Sequence, residues 1–259
     1  MKTTLIIQAR MGSSRLPGKV LEEIAGRPML DWAVQRGKRA RLIDELIVAT
    51  TTDDADEPIV DWARANQVRI YRGSVYDVLD RFYHAALGSG ADRVVRVTGD
   101  CPLIDPELID ALIRFYEDEG ADFAANRLPP PWRRTYPIGL DEEIVSMAWL
   151  TRAFREAEAL YEREHVMPWF YNTEGRCRVR IMDHDPDYGR HRWTVDTPED
   201  LAMMRALFRL ISDPLTIGWL DVLKLVEAHP EIEKLNRLTK AKNVDAVDEF
   251  TGLVSLSSR

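Results

Sequence analysis

Leu5-Ile6-Ile7-Gln8-Ala9-Arg10-Met11-Gly12-Ser13-Ser14-Arg15-Leu16-Pro17-Gly18-Lys19 decides how this chain is read. A short apolar run stops at Gln8 and gives way to three cations, two glycines, two serines and a proline. Such a mixture suits the holding of several anionic oxygens at the end of a buried strand. Gly12 and Gly18 let backbone N–H groups approach a ligand that a Cβ would exclude. Ser13 and Ser14 add hydroxyl donors, and Arg10, Arg15 and Lys19 supply charge. The spacing fails the ATP-binding P-loop pattern, which needs Gly at 13 and Ser or Thr at 20, where this chain has Ser13 and Val20. A solvated basic turn is the plain alternative. Cations interleaved with glycines directly after a strand favour phosphate, and without ligand Lys19 is expected to face solvent.

Outward from that loop, apolar strand-like runs alternate with helical patterns. Strands are predicted at Thr4–Ile7, Glu45–Ala49, Val68–Tyr71, Arg93–Val97 and Asp122–Ala125. Helices are predicted at Met29–Arg39, Ile59–Ala65, Val75–Leu87 and Leu108–Glu117. The first, second and fourth strands are β-branched and apolar throughout, as expected of parallel strands covered on both faces. The alternation implies an α/β, Rossmann-like, mostly parallel sheet with helices on both faces, whose ligands sit at the carboxyl ends of the strands. That rule places residues 9–19, Thr50–Asp56, Arg72-Gly73 and Gly99-Asp100 along one rim.

Three prolines at 129–131 break the pattern into a loop. Beyond it, strands are predicted at Glu142–Val145, Arg178–Met182 and Trp193–Val195, with helices at Ala148–Tyr161 and Glu164–Tyr171. Thr197-Pro198-Glu199-Asp200 opens a further helix with a cap and a first-position proline. The expected organisation is a domain over 1–212, with an acceptor and dimerisation insert near 127–172. A helical tail over 213–259 follows, its last residues from 243 poorly ordered or reaching a partner.

The 259 residues are 45% hydrophobic and 30% charged, enough for a sizeable core. A formal net charge of −8 argues against a nucleic-acid binder with a broad basic surface. Cys101 and Cys177 stand apart without a CxxC, so neither a disulfide framework nor structural zinc is expected, and a reducing cytoplasm is the default. No window holds 18 uninterrupted apolar residues, so no membrane insertion is expected.

Two aspartates end strand-like runs. Asp100 follows Thr98-Gly99 and precedes Cys101-Pro102; because Asp105-Pro106-Glu107 already supplies a helix cap, Asp100 is free for another task. Asp196 closes Arg192-Trp193-Thr194-Val195. Mg²⁺ takes one or two carboxylates plus water and phosphate oxygens, so the two are candidate metal ligands that should meet within roughly 4–7 Å, with Lys19 bridging them when metal is absent.

QARMGSSRLPGKVL, YRGSVYDVLDRFYHAA, RVTGDCPLID, YPIGLDEEI, REHVMPWFY and RWTVDTPEDL, in this order, resemble the cytidylyltransferase family. Its members include the acylneuraminate and 3-deoxy-manno-octulosonate enzymes, and the branch most like this chain is that of the spore-coat polysaccharide biosynthesis proteins. The resemblance spans about residues 3–205. It implies the fold of the nucleotide-diphospho-sugar transferases and transfer of CMP from CTP to an acidic or modified sugar, with release of pyrophosphate and a need for Mg²⁺. It further implies that Arg10, Ser13, Arg15 and Lys19 hold the triphosphate, with Asp100 and Asp196 on the metal. Gln8, Ala9, Arg72 and Gly73 would form the base pocket, between the first and third strand ends. Met11, Gly12 and Thr98 complete the nucleotide set. Catalytic work falls to Arg10, Arg15, Lys19, Asp100 and Asp196.

Asn126, Tyr136, Asp141, Glu143, His165 and Arg192 are the sugar-binding candidates. Related sequences usually carry Asp between the proline and glycine of YPIGLD, where this chain has Ile138. The stretch 127–141, with Trp132, Tyr136 and Arg133-Arg134, is expected to cover the sugar site and support a homodimer. Two rivals stand beside this reading: a glycosyltransferase that consumes a nucleotide sugar, and an inactive nucleotide-binding subunit.

Overall fold

The computed structural model describes residues 1–128 and 134–239. The run LIIQ forms the centre of a seven-stranded sheet as β1 (Thr3–Gln8), flanked by β4 (Glu45–Thr51) and β6 (Arg93–Thr98), both parallel to it. Leu5, Ile6 and Ile7 are wholly buried, as are Val48, Val94 and Val95 beside them. Continuous burial explains why these strands show no polar alternation. A two-stranded hairpin, β2 (Glu23–Ile24) with β3 (Arg27–Pro28), follows the phosphate-type loop.

With β5 (Arg69–Gly73), β7 (Phe123–Ala125), β8 (Glu143–Ser146) and β9 (Val179–Ile181), the sheet order is β5-β4-β1-β6-β8-β7-β9. Only β8 runs against its neighbours, because it returns from β7 and inserts between β7 and β6. One face carries α1 (Met29–Gly37), α2 (Glu57–Ala65), α4 (Pro106–Asp118), α8 (Pro198–Phe208) and α9 (Trp219–Ala228). The other carries α3 (Val78–Ser89), α5 (Met147–Glu156), α6 (Leu160–His165) and α7 (Pro168–Tyr171). Asp105 caps α4 as expected, accepting from the N–H groups of Glu107 and Leu108. Thr197 and Asp200 form a reciprocal capping box on α8.

Three expectations change. The helix predicted to reach Tyr161 stops at Glu156, and the next splits into α6 and α7. Trp193–Val195 is not a sheet strand. It runs between two loops, with Trp193 N–H donating to Ile138 and Val195 N–H to Asp100. Gly139 makes that approach possible: at φ +105 it lies so near residues 193–194 that a Cβ would sit 2.6 Å from the Thr194 nitrogen. The tail through 239 is built into the domain. Val222, Leu223 and Val226, with Ile232 of α10 (Pro230–Glu233), join the main core. The fully buried Arg36 donates to Ile104, Pro214 and Ile217 carbonyls at 2.6–2.8 Å. Trp132, Arg133 and residues from 243 onward, to which a sugar cover, a dimer contact and a partner arm were ascribed, lie outside the described residues.

Glu142 is the anomaly of the core. It is wholly buried, and neither carboxylate oxygen has a hydrogen-bond partner. Burial, and then Asp105, Asp141 and Asp110, push its carboxyl well above the ordinary 4.5. Below that value the group is neutral whether the chain is folded or not. Above it the unfolded chain ionises while the folded one keeps the proton, so this residue costs stability that grows with pH. Glu142→Gln should therefore raise the melting temperature more at pH 8 than at pH 5, by about 2–4 °C per kcal/mol recovered. An equal gain at both pH values would show that Glu142 is not held neutral.

Candidate functional site

The C-terminal ends of β1 and β6 open into a cleft of about 790 Å³. Gln8, Ala9, Arg10, Gly12, Ser13, Ser14, Arg15 and Lys19 line one end together with Thr98, Gly99, Asp100, Arg192 and Asp196. The chain turns sharply after β1: Gly18, at φ 74, donates its N–H to the Met11 carbonyl and delivers Lys19 into a short 3₁₀ turn.

Lys19 is 8% exposed, which overturns its expected solvent-facing position. Its ammonium donates to Asp100 Oδ2 at 2.7 Å, Asp196 Oδ1 at 2.8 Å and the Val195 carbonyl at 2.9 Å. All three N–H groups are thereby used. The two carboxylate oxygens are consequently no more than about 5.5 Å apart, the two N–O distances laid end to end. Asp100 and Asp196 thus meet at the same rim, bridged by the cation expected to bridge them.

Asp196 also receives Arg192 Nη2 at 2.7 Å and Arg15 Nη2 at 3.0 Å on Oδ2. Burial pushes its carboxyl up, but Lys19, Arg15 and Arg192 outweigh that and hold it at about 2. For Lys19, burial works against the charge, while Asp100 and Asp196 more than offset it and raise its pKa. Thr98 Oγ1 donates to Asp100 Oδ1 at 2.5 Å and fixes that carboxylate from the strand side.

The donor set fits a hard cation. Asp100 and Asp196 offer carboxylate oxygen, the Cys101 sulfur beside Asp100 Oδ1 is kept as a thiol by burial, and the Lys19 ammonium is the positive charge the carboxylates already share. Among the described residues no cluster of three or more His, Cys, Asp or Glu could hold a metal, so a two-carboxylate site needs phosphate and water to complete its coordination.

The other end of the cleft is lined by Arg96, Arg127, Arg134, Ile138, Asp141, Glu143, Glu164, His165 and Tyr171. Arg134 grips Asp141 through both guanidinium nitrogens, and Arg127 Nε lies 3.6 Å from the same carboxylate. Burial raises the Asp141 carboxyl, but Arg134 and Arg127 outweigh it and lower it. Arg96 pairs with Glu143 and donates to Gln8 Oε1 at 3.0 Å, joining the two ends. His165 closes α6 instead of opening a helix, and Val166 follows at φ 70, which β-branched residues rarely adopt.

Several candidates fall elsewhere. Arg72 and Gly73 do not line the cleft, because β4 lies between β5 and β1. Arg72 instead pairs with Glu57 and donates to the Thr51 and Asp53 carbonyls. Met11 turns away, its N–H held by Asp56 Oδ1 at 2.6 Å. Asn126 is consumed structurally, donating to the Leu140 carbonyl and accepting the Glu142 N–H. Tyr136 packs in the core against His184 and Trp219. Arg192 reaches the cleft, but on the side of Asp196 rather than that of Asp141 and Glu143.

Arg81 of α3 was missed. It lines the cleft beside Gln8 and Ala9, is 2% exposed, and gives one hydrogen bond to the Ser74 carbonyl while its Nε has no partner. Burial and the nearby Arg10 lower its pKa to about 10. A cation on the apolar stripe Val78, Leu79, Phe82, Ala85 was the available signal.

Comparisons with known proteins agree in kind. The cytidylyltransferase family model matches residues 4–241. The spore coat polysaccharide biosynthesis protein SpsF of Bacillus subtilis is 30% identical, over 87% of this chain and 94% of its own. A 3-deoxy-manno-octulosonate cytidylyltransferase of an Anaeromyxobacter species is 32% identical over 80% of this chain and 96% of its own. The solved structure of a cytidylyltransferase from Leptospira borgpetersenii superposes with a TM-score of 0.84 at 28% identity, covering 94% of this chain and all of that one. No helix among the described residues is long and apolar enough to cross a membrane.

The charge balance at Asp196 gives a direct test. Its folded pKa lies below the ordinary 3.8, so its ionised form adds stability above pH 3.8 that is lost as pH falls towards 2. In Lys19→Met the carboxyl should titrate at least about one pH unit higher by carbon-detected NMR, with a lower melting temperature at neutral pH. An unchanged titration would mean that the ammonium does not hold it.

Proposed function

The chain belongs to the cytidylyltransferase family, and from that premise we propose that this cleft transfers CMP from CTP to the hydroxyl of a sugar, releasing pyrophosphate, for surface polysaccharide synthesis. The observation that carries the reading is the Lys19 ammonium seated between Asp100 and Asp196 at the end of the glycine-rich cationic loop. Lys19, Arg15 and Arg192 meet Asp100 and Asp196 there, with Asp200 behind Arg192, and Arg10 lines the same end of the cleft, so a polyanion would meet several cations at once.

Arg10, Arg15 and Lys19, with the hydroxyls of Ser13 and Ser14, bind and orient the triphosphate. As pyrophosphate departs, the bridging oxygen gains negative charge, and these fixed cations stabilise it without reorganising. Asp100 and Asp196 would hold Mg²⁺, which when bound neutralises charge on the phosphates and helps align them. The acceptor hydroxyl approaches from the end lined by Asp141 and Glu143. Arg134 and Arg96 hold these carboxylates in place, where they can accept hydrogen bonds from a sugar. Asp196 remains ionised near neutrality and, with a pKa of about 2, is too weak a base to take the hydroxyl proton. Its part is electrostatic.

The family's base implies CTP, and Gln8, Ala9 and Arg81 form the pocket beside the loop in which we place cytosine. Pyrophosphate release measured from each nucleoside triphosphate against a panel of sugars, with Mg²⁺ present, should favour CTP at least about tenfold over ATP and GTP, roughly 1.4 kcal/mol. Asp100→Asn should abolish that release. Equal use of all triphosphates would remove the cytidylyl assignment.

The same geometry predicts an order of binding. Mg²⁺ alone must displace a satisfied ammonium from a site already rich in cations, whereas a triphosphate gives Lys19 new partners and frees both carboxylates. Calorimetry should detect Mg²⁺ binding only weakly to the free protein and at least about tenfold more tightly with CTP present. Equal affinity with and without CTP would refute this coupling.

A further inference from the structure

Behind Asp196 lies a second layer of contacts that comes from the far end of the described chain. Arg192 reaches Asp196 with one nitrogen and is clamped by Asp200, Nε to Oδ1 at 2.9 Å and Nη2 to Oδ2 at 3.0 Å. Asp200 is wholly buried and also accepts the backbone N–H groups of Asp196 at 3.0 Å and Thr197 at 3.2 Å. It therefore sets both the backbone that carries Asp196 and the guanidinium that aims its carboxylate.

Asp200 has one further donor, and it belongs to no element of the cleft. Asn236, 4% exposed, follows α10 and places Nδ2 2.9 Å from Asp200 Oδ1 and 3.1 Å from the Arg192 carbonyl. A single amide thus ties the start and the end of the 192–200 segment together. One position earlier, the buried His191 Nδ1 lies 2.6 Å from Glu233 Oε1 of α10, so the same tail holds the segment at a second point. Ile232 seats the tail in the main core beside these contacts.

We infer that Asn236 is a positioning residue for the candidate metal carboxylate Asp196, acting through Asp200 and Arg192. The inference rests on the nucleotidyl-transfer reading of the cleft. The physical reason is the density of charge on Asp200. A buried carboxylate is held in one rotamer by the donors around it, and removing one loosens the others. If Asp200 shifts, Arg192 loses its fork and Asp196 its aim, although Asn236 touches neither Asp196 nor the cleft. Such outer partners of a metal ligand commonly change metal affinity or activity by about 10–100-fold.

The test uses Mn²⁺ as a probe, read by electron paramagnetic resonance with CTP present, alongside pyrophosphate release. In Asn236→Leu, which keeps the approximate volume but removes the donor, Mn²⁺ affinity should fall about tenfold or more, with kcat falling likewise. The CTP KM should stay within about twofold, since the loop contacts are unchanged. Should that variant not fold, Asn236→Ser, with a shorter hydroxyl donor, is expected to give an intermediate loss. In an Arg192→Ala background, Asn236→Leu should cost clearly less than in the parent, because, of the two paths through Asp200, only the Asp196 backbone N–H then remains. A folded Asn236→Leu protein with parental Mn²⁺ affinity would overturn the inference, as would an equal loss repeated in the Arg192→Ala background. A parent protein that binds CTP but no Mn²⁺ would instead remove the metal reading of the cleft, and this inference with it.

Discussion

The Lys19 ammonium joins three parts of the chain that no secondary structure connects. Its three donors reach the end of β6 at Asp100, the backbone at Val195 and the side chain of Asp196. Two carboxylates this close repel unless a cation stands between them. The loop after β1 can therefore take its tight course only because its lysine completes a charge cluster that the 192–200 segment begins. That segment, in turn, lies against Asp100 because Val195 N–H and Thr194 Oγ1 both donate to its carbonyl. The charge cluster of the cleft and the packing of the sheet's C-terminal rim are the same set of contacts.

This economy has a cost in stability. Burying charges is offset only when each finds partners, and here most do. Lys19 is fully satisfied, Asp196 has three cationic neighbours, and Asp200 is saturated. Among the described residues Glu142 and Arg81 are exceptions, one a carboxyl without a partner in the core and the other a guanidinium on the cleft wall whose buried Nε has no partner. The first brings only a penalty within the folded protein.

Much of the fold was legible because the buried parallel strands leave long apolar runs, and the capped helices announce their first turns at Asp105 and Thr197. The meeting of Asp100 and Asp196 was legible for a similar reason: each ends an apolar run where the chain must turn at the same rim. What could not be read was order across the sheet. Sequence gives no sign that β4 separates β5 from β1, and Arg72 was misplaced for that reason alone. The burial of Lys19 was hidden in the same way, since its partners lie 81 and 177 residues away. Glu142 is different. It stands one residue before β8, two positions from the buried Ile144, and that spacing was present in the sequence.

The two ends of the cleft differ in how their charge is committed. At the end lined by Asp141 and Glu143, Arg134 and Arg127 share Asp141 while Arg96 is matched to Glu143, and Ile138 adds an apolar wall. At the loop end Lys19, Arg15 and Arg192 meet Asp100, Asp196 and Asp200, and Arg10 and Arg81 line the cleft beside them. On the function proposed above, the cations gathered at the loop end would draw a triphosphate toward it before any contact is made. The paired end has no comparable pull on the phosphates, and its carboxylates stay fixed for hydrogen bonding. The asymmetry follows from how many cations each end gathers, and it gives the cleft its direction.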